Sequence, residues 1–297
     1  MSPRGRLLLG GLAVAALAGA VMLLSPAGSE TVEEPGERST ASRQQTAVAS
    51  SKASTRASER AATPAPVERL RVRAVAEYPH DPGAYTQGLL WHGGELYEST
   101  GLHGRSSVRR VNLKTGQLEH RFALAEHLFG EGLALVGERL FLLTWQAETG
   151  FILDRESFEE IGRFSYRGEG WGLCYDGERL IFSDGQARLR FFDPEGFAPL
   201  GEMPVTLEGR PQRGLNELEC VDGMVYANIY GADSLVRIDP RDGRVTGVID
   251  ASGLLDPRAR AAAEVLNGIA YRPETGTWLL TGKLWPKVFE VLFEPIP

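Results

Sequence analysis

One repeated pattern limits what this chain can fold into. Five segments share a design: an apolar run, a turn built on Gly or Asp-Gly, and a second apolar run. They are QGLLWHGGELYEST from Gln87, EGLALVGERLFLLTW from Glu131, WGLCYDGERLIFSDG from Trp171, NELECVDGMVYANIY from Asn216 and NGIAYRPETGTWLLTG from Asn267. Two short apolar runs about a tight Gly-containing turn form a β-hairpin, since Gly takes the positive φ the turn needs. Aligned on Gly88, Gly132, Gly172, Glu217 and Gly268, the segments recur at spacings of 44, 40, 45 and 51 residues. The first four are each followed by a second hairpin, over Ser107–Phe122, Gly150–Phe164, Leu189–Met203 and Leu235–Asp250. Four strands per unit of about 40–45 residues is the period of a propeller blade.

The sequence therefore predicts an all-β protein, a five-bladed β-propeller of four-stranded antiparallel blades. The last repeat has room for about three strands before Pro297, while RLRVRAVAEYPH from Arg69 has no partner of its own. This N-terminal strand of the body is expected to supply the missing outer strand, closing the ring and covering an exposed edge. A solenoid of the same units is the structural rival, and it explains four strands per unit less well. Helical signal is confined to PRARAAAEVL, which predicts a short helix over Pro257–Leu266.

The repeats hang on a tail of different character. Residues 1–66 contain none of the chain's 12 Phe, 5 Trp and 8 Tyr. Arg4 and Arg6 precede an apolar run from Leu7 to Leu24, followed by small residues. That order reads as an export signal, though the run is also near the length that spans a bilayer. Residues 1–27 are thus expected to be a signal peptide or membrane anchor. Residues 28–66, rich in Ser, Thr, Ala, Glu, Arg and Pro, are expected to be a disordered linker. Residues 67–297 are expected to be the five-bladed propeller domain that carries any catalytic site. Either export form places the body outside the cytoplasm, in the periplasm, held at the inner membrane by residues 7–24 if the segment is not cleaved. The chain's net charge of −7 argues against nucleic-acid binding, which needs basic groups to neutralise phosphates. An oxidising compartment permits a disulfide between Cys174 and Cys220, but two cysteines make no framework, and buried free thiols are the favoured reading.

In a propeller the residues just before each blade's first strand converge on one end of the central channel. Here they are Tyr85-Thr86-Gln87, Phe129-Gly130-Glu131, Gly168-Glu169-Gly170-Trp171, Gly214-Leu215-Asn216-Glu217 and Leu266-Asn267. The second strands end in Trp145, Tyr230 and TGKLWPK, which holds Lys283. Taken singly, each has a bland reading: a turn cap, a loop tie, a packing aromatic or a surface charge. Their convergence is the argument for a site.

At these positions the chain resembles a known family. YPHDPGAYTQGL, FGEGL, EGWGL, LNELE, NGIAY and TGKLWPK occur in the same order in the glutaminyl-peptide (glutamine) cyclotransferases of the plant and bacterial type, over about residues 69–297. The resemblance implies a five-bladed propeller that converts N-terminal glutamine of peptides and proteins to pyroglutamate with release of ammonia. It implies Glu131 as the proton shuttle, with Gln87, Asn216 and Lys283 around the developing oxyanion. Phe129, Trp145 and Trp171 match the apolar walls, with Tyr85 and Tyr230 as neighbours. Tyr85 stands where Phe is common and Tyr230 where Trp is expected, which bears on substrate preference. Exported proteins with N-terminal Gln are the expected partners, and the chain is expected to be a monomer.

No cofactor or metal is expected to be required. His80, His92, His103, His120 and His127 fit no zinc-ligand spacing. A structural cation in the central channel is left open. Two rival functions remain: a non-catalytic propeller binding module, and a calcium-dependent lactonase-like hydrolase using Glu131, Asn216, Glu217 and Asn267 as ligands.

Overall fold

The computed structural model of the protein describes residues 65–296. The export or anchor segment expected over 1–27 lies outside the described residues, as does the linker of 28–66 except for its last two. Among the described residues no helix is long and apolar enough to cross a membrane.

Among the described residues strand is the dominant secondary structure, with one helical turn. A long first strand, β1 (Glu68–Pro79), precedes a four-stranded antiparallel meander of β2 (Thr86–His92), β3 (Glu95–Thr100), β4 (Ser107–Val111) and β5 (Leu118–Ala123). A second contains β6 (Gly130–Val136), β7 (Arg139–Thr144), β8 (Thr149–Asp154) and β9 (Glu160–Ser165). The third contains β10 (Leu173–Tyr175), β11 (Leu180–Phe182), β12 (Arg188–Phe192) and β13 (Pro199–Pro204). A two-stranded hairpin of β14 (Thr206–Leu207) and β15 (Arg210–Pro211), which the repeat does not contain, follows. The fourth meander is β16 (Leu215–Val221), β17 (Met224–Ile229), β18 (Ser234–Ile238) and β19 (Val245–Asp250). After a helical turn, α1 (Pro257–Arg260), come β20 (Leu266–Arg272), β21 (Thr277–Gly282) and β22 (Lys287–Pro295).

As expected, β1 takes the outer place of the last sheet, antiparallel to β22. Its first residues also pair in parallel with β19, Glu68 opposite Gly247 through Arg71 opposite Asp250, so the last two meanders form one eight-stranded sheet. The first strands of successive sheets lie side by side, β2 against β6, β6 against β10 and β10 against β16. β20 lies against both β16 and β2, and this closes the circuit.

The apolar cores lie between neighbouring sheets. Phe141 and Phe164 of the second sheet meet Phe182 and Phe192 of the third, and Phe197 stacks on Phe164 and Phe192 with centroids 3.9 and 4.4 Å apart. Alternation along each strand, one side chain to each face, gives every sheet an apolar layer on both sides. Burying each such ring contributes about 1.5–3 kcal/mol relative to exposure.

Two of the sequence expectations are corrected. Cys174 and Cys220 are not free thiols but form a disulfide, with Cα atoms 5.6 Å apart. Cys174 is in β10 and Cys220 in β16, and the adjacency of these strands brings the thiols together. The helix expected over Pro257–Leu266 is a single turn. Asp256 caps it by accepting from the Arg258 and Ala259 N–H groups, and Pro257 starts it. It has no buried residue to hold a longer helix in place, and Leu266 is instead 1% exposed as the first residue of β20.

Candidate active site

The first strands carry an irregularity at the positions where the repeats align. Register shifts fall between Thr86 and Gly88, Gly130 and Leu133, Leu215 and Leu218, and Leu266 and Ile269. Gln87, Glu131, Asn216 and Asn267 each lie inside one of these bulges. A bulge bends the strand and re-aims a side chain that the regular pleat would point elsewhere. The aligned glycines allow the backbones to approach. A Cβ on Gly132 would sit 2.6 Å from the Leu173 nitrogen, and one on Gly172 would sit 2.0 Å from the Asn216 carbonyl oxygen.

All nine residues expected at the site line one cavity of about 250 Å³: Tyr85, Gln87, Phe129, Glu131, Trp145, Trp171, Asn216, Tyr230 and Lys283. The polar four are buried, none more than 4% exposed. The Asn267 amide donates to the Gln87 side-chain oxygen at 3.1 Å, and this turns the Gln87 amide nitrogen toward Glu131, to whose Oε1 it donates at 2.8 Å. Burial drives the Glu131 carboxyl well above the ordinary carboxylate range; Lys283 opposes that shift and Glu169 adds to it. Burial likewise lowers the Lys283 ammonium, against the pull of Glu131 and Glu264. The Lys283 side chain has no hydrogen-bond partner among the described residues, and its Nζ sits 4.8 Å from the Tyr85 ring centre and 5.4 Å from that of Tyr230. The Asn216 side-chain oxygen is also buried without a partner.

The backbone at Lys283 is held from two sides. Its N–H donates to Val265, its carbonyl accepts from Glu264, and the next N–H donates to Ala84. Edge-to-face aromatics form the walls. Phe129 packs between Tyr85 at 6.0 Å and Trp145 at 5.7 Å, and Trp171 meets Tyr230 at 5.5 Å. Tyr230 is 53% exposed and marks the open rim. Burial raises the Tyr85 hydroxyl, and Glu264 raises it further.

Three contributors were not among the residues expected at the cyclotransferase site. Asn267 orients Gln87, and Glu264 sits electrostatically beside Lys283 and Tyr85. Glu169 accepts hydrogen bonds from both wall indoles. Asn267 and Glu169 had a signal, their place at the start of β20 and in the loop before β10; Glu264 had none beyond its nearness to Asn267. Of the residues weighed as calcium ligands, Glu217 accepts instead from the backbone N–H groups of Leu89 at 3.2 Å and Ile269 at 2.8 Å. Among the described residues no group of three or more His, Cys, Asp and Glu is placed to hold a metal ion.

A family model described as glutamine cyclotransferase matches residues 45–293. The chain belongs to the glutamine cyclotransferase family. Consistent with that membership, it is 43% identical over 226 residues to a glutaminyl-peptide cyclotransferase of Arabidopsis thaliana, a match covering 74% of this chain and 70% of that protein. It is similar in structure to a crystal structure of Myxococcus xanthus glutaminyl cyclase, at a TM-score of 0.71 and 40% identity, covering 78% of this chain and all of that one.

Proposed function

We propose that this glutamine cyclotransferase family member is a glutaminyl-peptide cyclotransferase, converting an N-terminal glutamine to pyroglutamate with loss of ammonia. The observation that supports it most is the pocket itself: one buried carboxylate, Glu131, faces an aromatic-walled cavity together with Gln87, Asn216 and an unpartnered Lys283.

The α-amine nitrogen attacks the γ-amide carbonyl carbon of the same residue. The ring-closing partners are already joined, so the enzyme has only to select the folded-back conformer. A peptide amine has a pKa of about 7.7–8 and arrives in part as the ammonium. Glu131, with its proton affinity raised, is matched to take a proton from the amine as the new C–N bond forms. Lys283 and the Asn216 amide are the donors for the oxyanion, where pre-placed charge counts most. Collapse of the oxyanion breaks the old C–N bond, and Glu131 returns the proton to the leaving ammonia. Gln87, held by Asn267, fixes the Glu131 carboxylate. Phe129, Trp145 and Trp171, with Tyr85 and Tyr230 at the rim, enclose the apolar stem of the glutamine side chain. No step calls for a metal or cofactor.

The same reading takes the sheets as a five-bladed propeller with β20, β21, β22 and β1 as the last blade, acting as a monomer. It places the enzyme in an exported, periplasmic setting, tethered if the segment at 7–24 is retained, and the disulfide favours that oxidising setting. The test is ammonia release from glutamine-initiated peptides, with mass spectrometry of the product. Turnover with loss of ammonia is expected; none across varied second residues would overturn the reading in favour of a peptide-binding module.

A further inference from the structure

Glu169 lies between two glycines in the loop entering β10, half-buried at the pocket rim. One of its carboxylate oxygens, Oε2, accepts the indole N–H of Trp145 at 2.9 Å and that of Trp171 at 3.0 Å. The other, Oε1, accepts from the Gln146 side-chain amide at 2.9 Å. These three donors hold the carboxylate below its ordinary value, so it stays ionised despite partial burial. The two indoles come from different sheets: Trp145 follows β7 in the second, and Trp171 precedes β10 in the third. No other hydrogen bond of either indole nitrogen occurs among the described residues. The Trp171 ring is otherwise located only by contact, against Tyr230 on one side and Gly185 on the other, where a Cβ would come within 2.8 Å of the ring.

We propose that Glu169 is a positioning residue for the cyclisation: it sets the distance between the two tryptophan walls by binding both indole N–H groups on one oxygen. An oxygen with two lone pairs is saturated by two donors, so both rings are fixed relative to one point. Charge-assisted bonds of this kind are the stronger class. The folded-back glutamine must fit between these rings, so their spacing sets how tightly the pocket binds that conformer. The inference rests on the cyclotransferase reading of the pocket.

Three substitutions separate the charge of Glu169 from its reach. Glu169→Gln removes the charge, and its amide nitrogen meets the Gln146 donor or an indole donor in place of an acceptor. Glu169→Asp keeps the charge but is too short to reach both rings. Trp145→Phe with Trp171→Phe removes the N–H groups on which Glu169 acts. The KM for a glutamine-initiated dipeptide is expected to rise about ten-fold or more in both Glu169 variants, a loss in the range of hydrogen bonds to charged groups. In the double Phe background, Glu169→Asp is expected to change KM less than two-fold.

Glu131 is the second readout, by carboxyl-carbon NMR titration. The titratable groups that it senses are Lys283 after β21, Glu169 before β10, Tyr85 before β2 and Tyr166 after β9. Only Glu169→Gln removes one of these charges, so its Glu131 midpoint is expected to move down while that of Glu169→Asp stays. Thermal melts are expected to match wild type, since the side chain anchors no core.

An unchanged KM in both variants, or additive losses in the Phe background, would overturn the inference. So would a Glu131 midpoint that ignores the loss of charge. Absence of turnover in the wild-type protein would instead strike at the cyclotransferase reading, which these outcomes leave distinguishable.

Discussion

Two carboxylates lie equally deep in neighbouring first-sheet and second-sheet strands, and the fold treats them in opposite ways. Glu98 of β3 is 0% exposed and surrounded by donors. His80 approaches Oε1 at 3.1 Å, Thr86 donates to the same oxygen at 2.6 Å, and the Arg109 guanidinium makes two contacts to Oε2, one at 3.2 Å. Burial opposes its charge, but His80 and Arg109 outweigh burial and hold it down at about 2. Glu131 of β6 is 4% exposed and receives one side-chain hydrogen bond, from neutral Gln87. Its nearest cation, Lys283, is not hydrogen-bonded to it, and Glu169 repels it. A carboxylate that is fully partnered is scaffold, because its proton is lost at any working pH. One left short of partners keeps a proton within reach of exchange, which a proton shuttle requires.

The largest expected effect separates the two by function. Glu131→Gln should lower kcat/KM for a glutamine-initiated peptide by roughly 10²–10⁴-fold, the range for loss of a general acid–base group. Its melting temperature should hold or rise. The folded-state pKa of Glu131 is raised, so the carboxyl's contribution to stability is lost as pH rises through that value, and a neutral amide avoids the loss.

Glu98→Gln should do the reverse, costing about 3–5 kcal/mol of stability in denaturant melts by leaving Arg109 and His80 without their anion. The sign with pH follows from its depressed value. The stability that Glu98 contributes is present above the ordinary carboxylate pKa and disappears as pH falls toward about 2. Acid unfolding of the wild type should be steep in that window and shallower in the variant.

Lys283→Met should reduce kcat by about 10²–10³-fold, as loss of an oxyanion donor does. It should also move Glu131 further from Glu98, since Lys283 is the one group that pulls the Glu131 value down. Smaller again, Cys174→Ala with Cys220→Ala should cost about 2–4 kcal/mol by opening a cross-link that spans 46 residues, with kcat near wild type. Neither cysteine lines the pocket, so the pair is the reference for a loss of stability that leaves the lining residues in place.

Much of this was legible in the sequence. Hairpin repeats are local patterns, so their strands and the β1 strand at the end of the circuit could be read from alternation and turns. The nine pocket residues were legible because the repeat phases them: each stands just before or at the start of a first strand, or just after a second one. What was hidden depends on partners far apart in the chain. Cys174 and Cys220 sit next to similar Asp-Gly turns, yet their pairing depends on how closely β10 approaches β16. The Glu98 cluster draws His80, Thr86 and Arg109 from three different segments, and nothing in any one of them signals a buried ion network. Glu169 reads as an ordinary loop acid until the two indoles are placed around it. The Pro257–Leu266 segment misled because alanine-rich composition favours helix locally, while Leu266 gains more as a buried strand residue.

The most direct test of the account is a carboxyl-carbon NMR titration of Glu131 in the wild-type protein, with Glu131→Gln used to assign the signal. The expected midpoint lies well above the ordinary carboxylate range, clearly separated from that of Glu98. A Glu131 midpoint at or below the ordinary range would mean that the carboxylate is stabilised like Glu98 and too weak a base to take the amine proton, and would contradict its role as the proton carrier.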